Sequence, residues 1–348
     1  MKENLFNRGK FDECWHDLGL YLKEIEEQQG LAKAIEALYD NQKELGFIQD
    51  DLSNLQRFKF PHPEDSNRYL CIQYNPNRLK RFGSASKPPP GVIEMHNNCV
   101  LCRKNIGWQQ NGKELGYEIH VNDTNYTVLM NPFPLVPVHA LAATNEHIGQ
   151  AWSFNDEVSK KFSIEKIISD ILELTSKLPG YLVFYNGINA GASIPSHFHL
   201  HIIKRESDDY RYPIELASKH KTVNAHLALD YPVHTWCWQG QKKDIMQGAR
   251  NWVKDWLTNN NKLQNRLSAN IIASLDSESG EINLYFIPRD QQRSGSLEFQ
   301  GIIGGLEILG ELVFITDQEK TRLNNGEITY NQVANILSSI HPHESIII

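Results

Sequence analysis

The run Ser196-His197-Phe198-His199-Leu200-His201-Ile202-Ile203 constrains this chain more than any other. Histidine alternates with bulky apolar residues at a spacing of two. In a β-strand, side chains two apart project from the same face, roughly 7 Å from each other. The alternation therefore predicts a strand over 197–203. It has three imidazoles along one face, with Phe198, Leu200 and Ile202 anchoring the other in a core. A strand with one dry side would gain more from aliphatic residues on its second face, so the histidine row suggests chemistry. Imidazole can ligate metal, attack phosphorus or carbon, or exchange a proton near neutral pH. A solvated surface strand and a metal-binding patch are the plainer alternatives.

Three further blocks precede the row. Cys99-Val-Leu-Cys102 is a CxxC pair, which in isolation is a zinc half-site, a redox pair or two small buried residues. Asn131-Pro-Phe-Pro-Leu-Val-Pro-Val-His139-Ala-Leu141 leads on to His147, and Tyr185-Asn-Gly-Ile-Asn-Ala-Gly191-Ala-Ser193 runs directly up to the histidines.

These four blocks, in this order, resemble the histidine-triad superfamily of nucleotide hydrolases and transferases. The match is strongest over about residues 97–205. Weaker similarity continues through Asn283–Arg289 and Gly304–Val313. These C-terminal blocks and the 348-residue length resemble the transferase branch. That branch contains galactose-1-phosphate uridylyltransferase, GDP-hexose phosphorylases and diadenosine-tetraphosphate phosphorylase. His201 departs from the branch, which usually has glutamine there, and agrees with the hydrolases.

The resemblance implies roles residue by residue. It proposes a structural zinc held by Cys99, Cys102, His147 and His197, four ligands that would leave no open position. It makes His199 the nucleophile that takes up a nucleotidyl group, with His201 hydrogen-bonding a phosphoryl oxygen or the leaving group. Asn131 would meet the ribose hydroxyls or, on its own sequence context, simply serve the turn before Pro132. Asn186, Gly191 and Ser193 would line the phosphate. Two basic clusters, Arg78-Leu-Lys80-Arg81 and Arg289 with Arg293, could clamp phosphate or be solvated faces. His139 reads as a packed residue or a support behind the ligands rather than a ligand, and Trp236-Cys237-Trp238 as core rather than a wall for a base. The implied reaction is nucleotidyl transfer from a nucleoside-diphosphate sugar or dinucleoside polyphosphate to phosphate or a sugar phosphate. Hydrolysis and non-catalytic nucleotide binding are the alternatives.

Composition narrows the partners. A formal charge of −7 disfavours non-specific binding to long nucleic acid. No stretch approaches the roughly 18 apolar residues of a membrane span. The first ten residues have no apolar signal-peptide centre, and five cysteines make no even disulfide framework. A cytoplasmic protein is expected, with a homodimer left open.

The expected fold is α+β: a mainly antiparallel sheet with packed helices. Residues 1–60 would form an N-terminal helical layer, 61–205 the triad-bearing half, and 206–348 an α+β half lacking its own triad. Apolar periodicity predicts helices within 11–46 broken at Gly30, then over 156–178, 246–258 and 328–340. Strands are expected near 117–121, 126–130, 138–144, 181–186, 198–204, 269–275, 282–287 and 306–315. Consecutive prolines make 84–91 a loop.

Overall fold

The computed structural model describes residues 7–50, 52–82, 99–107, 112–152, 162–221, 227–263, 266–290, 299 and 301–342. The loop expected at 84–91 and the first turns of the helix expected from 156 lie outside the described residues.

Two helices open the chain, α1 (Arg8–Gln29) and α2 (Leu31–Glu44), divided at Gly30 as the spacing predicts. Next come β1 (Gln56–Pro61), β2 (Tyr69–Tyr74) and the short helix α3 (Arg103–Ile106). The triad-bearing half contains β3 (Gly116–Val121), β4 (Thr124–Met130), β5 (His139–Thr144), α4 (Ile164–Lys177), β6 (Tyr181–Asn186) and β7 (His199–Lys204). After it follow β8 (Ser218–Lys221), β9 (Leu227–Asp230), β10 (Trp236–Gly240), α5 (Lys242–Asn259), β11 (Ser268–Leu275) and β12 (Ile282–Arg289). The chain ends with α6 (Gly305–Ile308), β13 (Glu311–Phe314), α7 (Asp317–Asn324) and α8 (Tyr330–Ser338).

Ten strands form one sheet in the order β3-β4-β5-β7-β6-β11-β12-β10-β9-β8, every neighbouring pair antiparallel. The order contains the same unit twice. In β3–β7 and again in β8–β12, a three-strand meander is followed by a helix, then by two strands, of which the last lies beside the third. The two fourth strands, β6 and β11, pair across the seam from Leu182–Ser274 to Asn186–Asn270. The result is the expected α+β architecture with a mainly antiparallel sheet.

Period-2 alternation assigns each face of the sheet its own core. Val183, Tyr185, Leu200, Ile202 and Ile271 point to the face covered by α4 and α5. Leu182, Phe184, Ile203, Ile272 and Tyr285 point to the other, where β2, β13 and α8 supply Ile72, Phe314 and Leu337. Helix α4 shows why burial prevails over local preference. Three of its four isoleucines, at 167, 168 and 171, each cost a few tenths of a kcal/mol in helix propensity. All three are fully buried, which is worth about 1.5–3 kcal/mol per side chain. Ser163 caps the helix by accepting from Lys166 N–H at 3.2 Å.

The structure corrects the sequence reading in several places. The histidine strand begins at His199 rather than at 197, because Phe198 N–H donates to Ile148 O and the His197 ring is engaged elsewhere. The strand expected over 306–315 is the turn of α6 followed by a shorter β13. Glu307 folds back to accept Gly304 N–H at 2.9 Å, and Gly310 (φ +100°) turns the chain before β13 starts. That strand joins a separate sheet, β1-β2-β13, in which it runs parallel to β2. Strands β1, β2 and β8–β10 were not expected from periodicity, and β1 starts inside the stretch read as a helical layer.

Arg205, just beyond β7, forms a two-pronged bond with Glu215 (2.5 and 2.6 Å), and Ser274 of β11 donates to the same carboxylate at 2.9 Å. Both charged side chains are less than a tenth exposed. Removing one member strands a buried charge, so Glu215→Ala should cost about 3–5 kcal/mol. Breaking the Arg68–Asp230 pair, whose aspartate is exposed, by Asp230→Ala should cost about 1 kcal/mol or less. Urea unfolding of the two variants checks the contrast, and equal losses would refute it.

Candidate active site

Two sequence-distant segments converge on the start of β7. Cys99, Cys102, His147 and His197 present four ligand atoms within 4.8 Å of one another. His147 Nδ1 lies 3.2 Å from Cys102 Sγ, and His197 Nδ1 lies 3.3 and 3.7 Å from the sulfurs of Cys99 and Cys102. Donors bound at 2.0–2.3 Å in a tetrahedron stand roughly 3.3–3.8 Å apart, close to these three separations, so the cluster could hold a metal ion. The His197 tautomer agrees. Its Nε2–H donates to Thr144 O at 2.7 Å, which leaves the Nδ1 lone pair for the cluster.

His199 is fully buried, and its Nδ1–H donates to the backbone oxygen of His197 at 2.8 Å. Nε2 is buried and has no hydrogen-bond partner among the described residues. Burial pushes the imidazole down to about 4, so it is neutral at pH 7 with its lone pair on Nε2. An unshared nitrogen lone pair with a fixed tautomer can attack an electrophile without first losing a proton.

A second set of hydrogen bonds fixes His201. Leu135 N–H donates to His139 Nδ1 at 3.3 Å, so the proton of neutral His139 sits on Nε2. That Nε2–H donates to His201 Nδ1 at 3.1 Å, which leaves His201 a donor through its own Nε2–H. Phe184 stacks on the His201 ring at 4.7 Å, and the rings of His199 and His201 are 5.2 Å apart. Burial, helped by the Arg78 charge, pushes His139 down to about 3, and burial with the neighbouring histidines holds His201 well below its usual value. His139, read from sequence as packed or supporting rather than a ligand, sets the tautomer of its neighbour. His197 does not join the row: its ring lies against His147 at 5.2 Å.

The loop after β6 is bolted to the C-terminal segment. Gly191 has φ +96°, and a Cβ there would stand 2.4 Å from the Gly304 Cα. Its glycine is therefore required by backbone meeting backbone, whatever else the loop binds. Beside it, Asn270 Nδ2 donates to Asn186 Oδ1 and Ala190 O, both at 2.8 Å. Arg289 in turn donates to Asn270 Oδ1 (2.5 Å) and Ile303 O (3.1 Å). Its guanidinium is fully buried, and burial pushes it down to about 9. Arg289 braces the loop from inside rather than offering a solvated clamp.

The other expected residues divide. Arg78 donates to Phe133 O and faces the imidazoles as a positive charge. Asn131 Oδ1 accepts Phe133 N–H at 3.0 Å, the turn role that its place before Pro132 allowed. Ser193 is exposed on the loop between Gly191 and the triad. Arg293 lies outside the described residues. Trp238 is buried against Trp252 of α5, so the Trp-Cys-Trp run is core. Asn270 and Gln150 were not singled out from sequence. Each is one polar residue in an ordinary context, and only the fold brings it to the histidines.

Residues 38–204 match the family described as Domain of unknown function (DUF4922). No curated protein matches the chain. Among solved structures, yeast Ap4A phosphorylase Apa2 in complex with Ap4A is similar with a TM-score of 0.57 and 17% identity, covering 90% of this chain and 99% of that one. The same yeast enzyme in complex with AMP gives a TM-score of 0.56 at 16% identity, covering 88% and 95%. The protein thus shares its α+β fold with yeast Ap4A phosphorylase, the mainly antiparallel architecture expected from its sequence.

Two outcomes follow from this geometry. Cys102→Ser or His147→Ala should lower both the metal content of purified protein and its Tm, since a closed site contributes directly to folding. Metal-free wild-type protein with the same Tm as the variants would refute a metal site. The second concerns pH. A histidine held neutral by burial protonates first in the unfolded chain, near 6.5. Its contribution to stability is intact above that value and is lost as pH falls toward 4, by up to about 1.4 kcal/mol per pH unit per group. Urea midpoints should therefore drop from pH 7 to pH 5, and less steeply in His139→Gln. An equal slope would show that His139 titrates normally.

Proposed function

We propose that this protein is a nucleotidyltransferase of the phosphorylase type, acting through a covalent nucleotidyl-histidine at His199. One observation carries the reading: the buried His199 Nε2, neutral and without a partner among the described residues, with its opposite nitrogen tied to His197 O. The substrate class is a nucleoside-diphosphate sugar or a dinucleoside polyphosphate. The likeness in fold to an enzyme solved with Ap4A favours the second.

His199 Nε2 attacks the α-phosphorus in line, forming an N–P bond as the bond to the bridging oxygen breaks. The remaining phosphate portion of the substrate leaves with that electron pair. Inorganic phosphate or a sugar phosphate then attacks the same phosphorus, and the N–P bond returns its electrons to Nε2. Two in-line steps invert twice. His201 donates its Nε2–H to a phosphoryl oxygen or to the departing oxygen, as its fixed tautomer permits. Asn186 and the backbone near Gly191 and Ser193 line the phosphates, with Asn131 toward the ribose. Arg78 and Arg289 supply positive charge behind them. The chemistry is mainly positioning and charge stabilisation.

The metal we propose for Cys99, Cys102, His147 and His197 is zinc, and its part is structural. Residues 1–60, 61–205 and 206–348 are proposed as helical layer, catalytic half and triad-less half. No helix among the described residues is long and apolar enough to cross a membrane. A cytoplasmic site of action remains part of the proposal, as does a homodimer.

Hydrolysis is the second reading, and His201 favours it, because the transferase branch usually has glutamine there. Intact-protein mass spectrometry separates the two readings. Incubation with dinucleoside polyphosphates or nucleotide sugars should add one nucleotidyl mass to wild type, none to His199→Ala, and one to His201→Gln. Phosphate or a sugar phosphate should speed turnover well beyond the rate in water. If free nucleoside monophosphate accounts for all turnover whatever the acceptor, the protein is a hydrolase. Near-normal activity in His199→Ala would eliminate both.

A further inference from the structure

Strands β6 and β7 pair in register from Tyr181–Lys204 to Phe184–His201. The next in-phase pair would set Asn186 opposite His199, and there the ladder stops. A side chain occupies the gap. Gln150, in the segment after β5, is fully buried. Its Nε2 donates to Asn186 O at 2.9 Å and to His199 O at 3.0 Å, and its Oε1 accepts His199 N–H at 2.9 Å. Both amide protons and the amide oxygen are therefore used. The Gln150 backbone is fixed as well: its N–H donates to Pro195 O at 3.0 Å, and its oxygen accepts from the Tyr185 hydroxyl.

Paired strands lie about 4.8 Å apart, with no room for a carboxamide between them. Inserting one parts the strands at this point, where the sheet can no longer hold His199 on the β6 side. Gln150 takes over that hold on both polar groups of the His199 backbone, while His197 O orients the ring. No other side chain serves equally. Glutamate cannot donate to both carbonyl oxygens, methionine offers no hydrogen bond of this strength, and asparagine is one methylene short.

We infer that Gln150 is the positioning residue of the attacking imidazole, joining the His199 backbone to Asn186 where the strand ladder is interrupted. The inference rests on the nucleotidyl-histidine reading. A displacement of about 1 Å in a reacting group can cost roughly 100-fold in rate without changing what binds.

The test compares wild type with Gln150→Met, which keeps the volume and removes all three bonds, and Gln150→Glu, which keeps the acceptor for His199 N–H and cannot donate to both carbonyl oxygens. Four quantities are read: the single-turnover rate of adduct formation, the Kd for AMP, Tm with metal content, and hydrogen exchange of the His199 amide. In Gln150→Met, adduct formation should fall about 100-fold while Kd and metal content stay near wild type. The His199 amide should lose its protection while that of Lys204 keeps it. Gln150→Glu should keep much of the amide protection and still lose rate, because an oxygen faces two carbonyls. Adduct formation at the wild-type rate in Gln150→Met would overturn the inference. So would a loss of rate matched by equal losses in AMP affinity and Tm, which is the mark of a purely structural role. Should wild type itself form no adduct, the covalent reading fails, and the exchange arm alone judges Gln150. Selective loss of protection at His199 then supports its hold on that residue, and unchanged protection overturns it.

Discussion

The hydrogen bond from His199 Nδ1–H to His197 O joins the two halves of the site. His197 takes part twice, and differently. Its ring enters the Cys99–Cys102–His147 cluster and donates to Thr144 O, while its backbone oxygen fixes the tautomer of the residue two places on. The loop at 144–148 and the CxxC segment are thereby tied to the orientation of His199. A metal held there would need no open coordination position to matter. It would hold the His197 carbonyl still.

Around that bond, the imidazoles are kept neutral by burial and by hydrogen bonds that allow each ring one tautomer. His199 is left with a lone pair on Nε2, and His201, through His139 and Leu135 N–H, with a proton on Nε2. Two chemically identical side chains two residues apart are thus given opposite hydrogen-bonding character. The difference comes wholly from what each Nδ1 touches: a carbonyl oxygen in one case, a donating imidazole in the other.

The second half of the ten-stranded sheet repeats the topology of the first, and its equivalent region has no histidine row. It still reaches the site. Because β6 and β11 pair across the seam, Asn270 bonds Asn186, and Arg289 from β12 braces Asn270. The contact between Gly191 and Gly304 ties the same loop to the C-terminal segment. The half without a triad is support for the half that has one.

Much of this was written locally in the sequence. Alternation at 199–203, the isoleucine stripe of α4 and the break at Gly30 depend on residues a few places apart, so periodicity exposes them. The CxxC pair and the two partner histidines could be named through family resemblance. Tertiary structure decided what depends on groups far apart in the chain. It started the strand at His199, turned 305–308 into a helical turn through the Glu307 carboxylate, and gave β13 a parallel partner. It made His139 the residue that sets the His201 proton and turned Arg289 inward to Asn270. It also placed Gln150 in the gap between β6 and β7. A single buried amide has no periodicity and no motif. Its role exists only once two strands part around it, which is why the chain's local pattern was silent there.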